Sequence, residues 1–66
     1  MYNAIENGKR LRHLRGEKSL EEVASANNIS VSALAMYENG ERNPRDSVKV
    51  SLAKYYRKTV AEIFFA

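Results

Sequence analysis

The chain has 66 residues, of which 11 are Lys or Arg and 8 are Asp or Glu, so its formal net charge is +3. It contains no cysteine, which excludes disulfides and thiolate metal sites, and no apolar run approaches the roughly 18 residues of a membrane span. Residues 1–66 are therefore expected to form a single domain with one small core, in the reducing cytoplasm. The mild positive charge favours a polyanionic partner but is also compatible with an ordinary surface.

Helical signals begin at the N-terminus. Asn3, followed three residues later by Glu6, predicts a cap for a helix over about residues 4–15, with Gly16 ending it. The buried face of this helix is expected to comprise Ile5, Gly8, Leu11 and Leu14. Its other face carries three basic residues, which are interpreted as a solvated surface, with contact to a phosphate backbone as the alternative that their clustering allows: Lys9, Arg10 and Arg12.

A helix-turn-helix follows. Ser19 and Glu22 have the spacing of a capping box, so a second helix is expected over about residues 20–26, ended by two consecutive asparagines. Ser30 is expected to cap a third helix that stops before Gly40. A link of about three residues between two helices forces them to cross at a steep angle.

The third helix has two different faces. Leu34 and Tyr37 stand three residues apart and are expected to share its buried side. The outward side chains are small or slim and carry no charge: Val31, Ser32 and Met36. Such a surface lets another molecule approach closely, and we interpret it as facing the edges of DNA base pairs.

The remaining sequence predicts two more helices. Asn43 or Asp46 is expected to cap the fourth, with Pro44 in its first turn. Its apolar stripe is expected to comprise Val48, Leu52, Tyr55 and Tyr56. Thr59 and Glu62 form another capping box, which opens a short fifth helix. The predicted fold is all-α, a compact bundle of five short helices.

Several segments in this order resemble the Xre/Cro-like, lambda-repressor-like family of bacterial and phage DNA-binding proteins: Leu14-Arg15, Ser19-Leu20-Glu21-Glu22-Val23-Ala24, Ile29-Ser30-Val31-Ser32 and Tyr37-Glu38-Asn39-Gly40 with Pro44. The resemblance spans nearly the whole chain. It implies that the third helix lies in the major groove of a pseudo-palindromic operator. The implied function is a DNA-binding transcriptional regulator, expected to be a repressor, and the implied partners are double-stranded DNA and a second copy of the chain.

The resemblance also implies roles for individual residues. The base-reading positions correspond to Val31, Ser32 and Met36. The positions that contact the DNA backbone correspond to Ser19, Ser30, Asn39, Arg42 and Asn43. Arg15 and Glu38 correspond to a structural pair that ties the first helix to the end of the third.

The chain departs from the family at its reading positions. Leu20 stands where relatives commonly have glutamine, and it cannot donate a hydrogen bond. The base-reading positions also lack Arg, Lys, Asn and Gln, whose bidentate contacts are worth about 1–3 kcal/mol of discrimination per base. Base discrimination is therefore expected to be modest and to rest on thymine methyl contacts, water and DNA shape.

Two other classes of function, catalysis and protein interaction, differ in how well the sequence supports them. Catalysis is not expected, because the single histidine, His13, is accompanied by no cysteine and no phosphate-binding loop in the sequence; no cofactor, metal or small-molecule ligand is expected either. A protein-interaction module, such as an antitoxin or adaptor, remains the main alternative. A DNA target predicts that basic residues surround the third helix, namely Arg42, Lys18 and either Lys9 or Arg10.

A homodimer is expected because the core is small and the chain ends in an aromatic-rich segment. Phe64 is expected to complete the core of one copy. Tyr55 and Phe65 are expected to contact the second copy. A frayed terminus with one exposed aromatic side chain is the alternative.

Overall fold

The computed structural model describes residues 3–66. These residues form five helices: α1 (Ala4–Arg15), α2 (Leu20–Ala26), α3 (Val31–Glu38), α4 (Asp46–Tyr55) and α5 (Val60–Phe64). The described part of the chain contains no β-strand, which confirms the predicted all-α class. Over the same residues, none of the helices combines the length and the apolar character needed to cross a membrane.

Side-chain caps fix where most of the helices begin. Asn3, Ser19 and Ser30 each accept the backbone N–H of the residue three positions later, at 3.0–3.1 Å. Thr59 and Glu62 form a complete capping box, in which each side chain bonds the backbone N–H of the other residue. At Ser19 only half of the predicted capping box forms: among the described residues, the Glu22 side chain makes no hydrogen bond to the backbone N–H of Ser19.

The core lies where the five helices meet. Its largest fully buried side chains are Phe64, Leu11, Leu34, Leu52, Ile63 and Val23. Leu34 and Tyr37 are 0% and 7% exposed, so the predicted inner face of α3 is confirmed. Phe64 is also 0% exposed, so α5 closes the core as predicted. The remaining face of α3 is left at the surface.

α1 and α3 approach each other backbone to backbone at Gly8. A Cβ atom at this position would overlap the carbonyl oxygen of Glu38 and would lie 2.7 Å from that of Tyr37. No side chain larger than hydrogen fits there without moving one helix. Gly8 therefore sets how closely α1 supports the C-terminal half of α3.

The predicted inner face of α1 is wrong at Ile5, which is 59% exposed. The buried positions of this helix are Asn7, Gly8 and Leu11. Asn7 is only 2% exposed because its Nδ2 donates to the carbonyl oxygen of Phe64 at 3.1 Å, which satisfies a polar group at the end of α5. The other three predicted positions, Gly8, Leu11 and Leu14, do lie on the inner side of α1, and Asn7 joins them through its buried hydrogen bond.

The turn between α2 and α3 is held by two asparagines. Asn28 has φ = 56°, a left-handed conformation that asparagine tolerates better than most residues. Asn27 is 7% exposed; its Nδ2 donates to the carbonyl of Val23 at 2.8 Å, and its Oδ1 accepts from the hydroxyl of Ser51 at 2.7 Å. These bonds join the end of α2 to α4 and fix the point at which α3 begins.

The start of α4 differs from the prediction. Its N-cap is Arg45, which makes no side-chain capping bond, whereas the sequence predicts a cap at Asn43 or Asp46. Pro44 is buried and precedes the helix rather than occupying its first turn. Proline disfavours helical backbone in the preceding residue, and Arg45 itself is extended with φ = −70° and ψ = 164°, so the chain turns helical only at Asp46.

Candidate nucleic-acid interface

The outer face of α3 presents three uncharged side chains to solvent. Val31 and Met36 are 38% and 39% exposed, and Ser32 is exposed as well. At 3.6 residues per turn, these positions span about 140° of the helix circumference, opposite the buried side formed by Leu34 and Tyr37. The three residues predicted to read bases thus share one accessible surface, which we call the α3 outer face.

Two serine hydroxyls lie at the N-termini of the helix-turn-helix. Ser19 caps α2 and Ser30 caps α3, and both side chains are exposed. Each hydroxyl oxygen already accepts a backbone N–H, but its own proton remains a donor. The positive end of each helix dipole adds to this, so both positions can hold an anion such as a phosphate.

Arg42 and Arg45 flank the N-terminal half of α3. They line a surface groove of about 470 Å³ together with Ser30 and Ala33. Arg42 and its neighbour Asn43 are exposed, and both are predicted to contact the DNA backbone. Sequence reasoning does not single out Arg45, because it leaves the start of the fourth helix open between caps at Asn43 and Asp46.

Arg15 and Glu38 join the end of α1 to the end of α3. Arg15 Nε lies 2.8 Å from Glu38 Oε2 and Nη2 lies 3.0 Å from Oε1, while the Glu38 side chain is only 2% exposed. These hydrogen bonds raise the pKa of Arg15 above its ordinary value. Arg15 Nη1 also donates to the carbonyl of Lys18 at 2.7 Å, which places the segment before α2 next to the same pair.

Arg12 lies one helical turn before Arg15 and points towards the same end of α3. Its Nη2 donates to Asn39 Oδ1 at 2.8 Å, and its Nε lies 3.8 Å from Glu38 Oε1. The Arg12 side chain is 60% exposed. Sequence reasoning interprets Arg12 as solvated surface, although its i, i+3 spacing from Arg15 is the signal that both face α3.

Lys9 and Arg10 lie on a different side of α1. Together with His13 and Lys58 they line a groove of about 490 Å³ between α1 and α5. Arg10 Nε donates to the carbonyl of Ile63 at 2.9 Å. The expectation that Lys9 or Arg10 adjoins α3 is therefore wrong, because the packing of α1 at Gly8 turns both of them towards α5.

A family model described as a helix-turn-helix domain matches residues 5–63. The chain belongs to this helix-turn-helix family. The match covers all of α2, α3 and α4 and confirms the family resemblance inferred from the sequence.

Solved structures of helix-turn-helix proteins are similar over nearly the whole chain. The restriction-modification controller protein C.AhdI from Aeromonas hydrophila is 30% identical, with a TM-score of 0.82 over 92% of this chain and 96% of its own. The clp gene regulator ClgR from Corynebacterium glutamicum is 25% identical, with a TM-score of 0.83 over 96% of this chain and 69% of its own. The DNA-binding domain of BldD is 26% identical, with a TM-score of 0.75 over 94% and 93%. Among curated protein sequences, none matches this chain significantly.

Leu20, at which the sequence departs from the family resemblance, is the first residue of α2. It is partly buried and packs against the hydrophobic core. The first residue of α2 therefore contributes to packing, where relatives commonly place a glutamine that donates hydrogen bonds. The polar groups at this end of α2 are Ser19 and the exposed carboxylates of Glu21 and Glu22.

The surface of the helix-turn-helix domain also carries apolar residues on α4 and after α5. Val50 is 56% exposed and Phe65 is 50% exposed. Lys49 Nζ lies 5.3 Å from the centroid of the Phe65 ring. Tyr55 is half-buried, and its ring packs edge-on against that of Tyr56 with the centroids 5.0 Å apart.

Within residues 3–66, no three His, Cys, Asp or Glu side chains come together in a way that could hold a metal ion. The polar lining of the groove beside α3 is instead arginine, serine, asparagine and tyrosine, without an acidic residue, whereas the groove beside α5 combines basic residues with Glu6 and Glu62. The polar side chains beside α3 are ones that donate hydrogen bonds to anions.

Proposed function

We propose that this protein is a sequence-specific DNA-binding transcriptional regulator, acting as a repressor, that inserts α3 into the major groove of a pseudo-palindromic operator. The observation that carries the proposal is the uncharged α3 outer face with arginines beside both of its ends. Arg42 and Arg45 border its N-terminal half, and Arg12 contacts the residue after its C-terminal end. The major groove has the matching arrangement, with base edges between two rows of phosphates.

The similar proteins support the same function. C.AhdI is a restriction-modification controller, ClgR is a gene regulator, and the BldD structure is a DNA-binding domain. A bacterial DNA target would place this protein in the cytoplasm. We propose no catalytic role and no cofactor, because DNA reading by α3 needs neither.

In this proposal, the residues that read the base sequence differ from the residues that supply most of the binding affinity. Val31 and Met36 pack on thymine methyl groups, and Ser32 exchanges hydrogen bonds with a base edge. Phosphate contacts from Ser19, Ser30 and the loop after α3 supply most of the affinity. That loop contributes Asn39, Arg42, Asn43 and Arg45.

Salt dependence tests this division directly. If about four to six phosphates are neutralised per dimer, the slope of log affinity against log salt is roughly −4 to −5. The measurement is fluorescence anisotropy of a labelled duplex carrying a selected operator, titrated at several salt concentrations, with a scrambled duplex as the control. An affinity that does not change with salt would contradict the proposal.

An adaptor or antitoxin function is the alternative, and the arginines around α3 favour DNA over it. An uncharged α3 outer face alone would suit a protein surface equally well. The arginines beside both ends of α3 add donors that match phosphates. A protein whose α3 binds only a protein partner would bind every duplex equally, with a scrambled duplex as tight as any other.

We also propose that the protein binds DNA as a homodimer whose interface includes Tyr55, Phe65 and the exposed Val50. The proposal rests on the exposure of Val50 and Phe65, because exposed apolar side chains are stabilised by burial against a partner. Sedimentation of Val50→Glu, with Ile5→Glu as the matched control at another exposed apolar residue, tests it. We expect Val50→Glu to lower the dimer fraction and Ile5→Glu to leave it unchanged; equal effects would contradict the interface.

A further inference from the structure

A polar cluster lies at the C-terminal end of α3, where Glu38, Arg15, Arg12 and Asn39 meet. The buried Glu38 carboxylate accepts two hydrogen bonds from Arg15, at 2.8 and 3.0 Å. Arg12 is farther from this carboxylate, at 3.8 Å, and hydrogen-bonds Asn39 instead. One negative charge thus faces two positive charges, and the uncompensated charge belongs to the exposed Arg12.

The bond from Arg12 fixes the orientation of the Asn39 amide. Asn39 Oδ1 accepts from Arg12 Nη2 at 2.8 Å, so the amide NH2 group points to the other side, where the residue is exposed. In this orientation Asn39 presents only donors to an approaching group. Without Arg12 the amide can rotate and present its oxygen, which an anion repels.

Arg12 is needed at the C-terminal end of α3 for a second reason. The C-terminus of a helix carries a partial negative charge, which opposes an anion there, in contrast to the N-termini capped by Ser19 and Ser30. A neutral asparagine alone does not offset that repulsion. The guanidinium of Arg12 does, because its donors outnumber the two contacts it makes.

We propose that Arg12 and Asn39 together bind one phosphate of the DNA backbone, with Arg12 also acting as the positioning residue that turns the Asn39 amide outward. This inference rests on the proposed DNA-binding function and deepens it. It assigns to Arg12 a contact that the family resemblance gives to Asn39 alone.

The test measures the affinity for one selected operator, as a function of salt, for Arg12→Ala, Asn39→Ala and the double variant. We expect Arg12→Ala to weaken binding by about tenfold or more and to reduce the magnitude of the salt slope by about 0.9 for each phosphate that Arg12 no longer neutralises. We expect Asn39→Ala to weaken binding by a smaller factor with the slope unchanged, since no charge is removed. The double variant is expected to bind like Arg12→Ala.

Lys9→Ala is the matched control, because Lys9 is an exposed cation on the same helix but lies on the α5 side. It is expected to change affinity by less than about twofold, as a charge beyond the range of direct contact is largely screened. Arg12→Lys keeps the charge but loses the planar guanidinium, whose fixed N–H groups hold the Asn39 amide and a phosphate in one geometry, so we expect the slope to be retained and the affinity reduced.

Three results would overturn the inference: effects on affinity that add in the double variant, equal effects of Arg12→Ala and Lys9→Ala, or an unchanged salt slope in Arg12→Ala. Unfolding temperatures of all variants, measured in parallel, exclude loss of folding as the cause, and Arg12→Lys covers the case in which Arg12→Ala is unstable. Wild-type protein that binds no duplex would contradict the proposed function itself, whereas wild-type binding with a silent Arg12→Ala contradicts only this inference.

Discussion

Arg15 donates two hydrogen bonds to the Glu38 carboxylate, at 2.8 and 3.0 Å, and so joins α1 to α3 through a side chain that is 2% exposed. Arg15→Met removes both bonds and leaves a buried carboxylate whose nearest remaining cation, Arg12, is 3.8 Å away. Breaking a buried pair in this way costs about 3 kcal/mol of unfolding free energy. Urea denaturation of the purified variant measures it.

Lys9→Met is the control for that prediction. It removes the exposed pair between Lys9 and Glu6, whose atoms are 3.6 Å apart. Exposed pairs contribute at most about 1 kcal/mol, so we expect a change within about 0.5 kcal/mol. Equal, small decreases in the stability of Arg15→Met and Lys9→Met would show that the buried pair does not stabilise the fold.

Gly8→Ala should destabilise the protein although alanine is the better helix former. The added methyl group overlaps the carbonyl oxygen of Glu38, so α1 and α3 must separate. Overpacking of this kind typically costs about 1–3 kcal/mol. Thermal unfolding followed by circular dichroism measures the change.

A useful comparison is Gly16→Ala. Gly16 has φ = 57°, but the atom nearest to a new Cβ there, the carbonyl oxygen of His13, is 4.0 Å away. That substitution strains the backbone without pushing helices apart, so it should leave the affinity for DNA unchanged once the protein is folded. Gly8→Ala should lower the affinity as well, because it displaces α3; a stable Gly8→Ala variant with normal binding would refute the proposed role of Gly8 in positioning α3.

Burial of the Tyr56 hydroxyl predicts a loss of stability at alkaline pH. This hydroxyl is buried without a hydrogen-bond partner among the described residues, and burial, followed by the nearby Glu38 carboxylate, raises the pKa of Tyr56 to about 12. The ordinary tyrosine pKa is about 10. The Tyr56 hydroxyl therefore holds its proton more tightly in the folded state than in the unfolded state. The contribution of this proton to the free energy of unfolding is complete below about pH 10 and is lost as the pH rises from 10 to about 12.

Tyr56→Phe should remove this part of the pH dependence. At pH 7 it should be at least as stable as the wild type, since no hydrogen bond is lost and a buried unpaired hydroxyl is removed. The measurement is urea denaturation at a series of pH values, with Tyr55→Phe expected to retain the alkaline loss. Parallel curves for wild type and Tyr56→Phe would count against the buried hydroxyl as the cause.

Substitutions on the α3 outer face and in the loop after it should have different effects on DNA binding. Ser32→Ala or Met36→Ala should change which sequences are preferred, because these side chains are proposed to touch base edges. Arg42→Ala should weaken binding to all sequences alike, because a phosphate contact carries no sequence information. Gel shifts on a panel of duplexes decide between them; the reverse result would reject the assignment of the reading face.

Local signals in the sequence are sufficient for most of the fold. Asn3, Ser19, Ser30 and Thr59 cap the helices where predicted, because a cap depends only on residues three positions apart. The buried and exposed sides of α3 also follow from spacing alone. The start of α4 is not predicted correctly, because Arg45 is extended and serves as an N-cap without a side-chain capping bond, which leaves no local signal.

The features that sequence reasoning misses around α1 depend on contacts between distant segments. Ile5 is exposed, whereas the polar residue Asn7 is buried with its bond to the carbonyl of Phe64. Arg12 rather than Arg10 reaches α3, because Gly8 fixes which side of α1 faces that helix. The Asn7 contact has no signal in a local window, and the spacing of Arg12 from Arg15 indicates the α3 side only when Arg15 is paired with Glu38, so the basic residues of α1 at the candidate interface can be assigned only once the packing of α1 is known.

The proposal that α3 reads an operator is tested most directly by selecting bound sequences from a random pool of DNA duplexes. We expect enrichment of a pseudo-palindrome whose half-sites are about 10 base pairs apart, centre to centre, with modest base preference that includes thymines. The same selection with Met36→Ala should alter the preferred bases without altering the half-site spacing. A pool that shows no enrichment after repeated rounds, with folded wild-type protein, would contradict operator reading by α3.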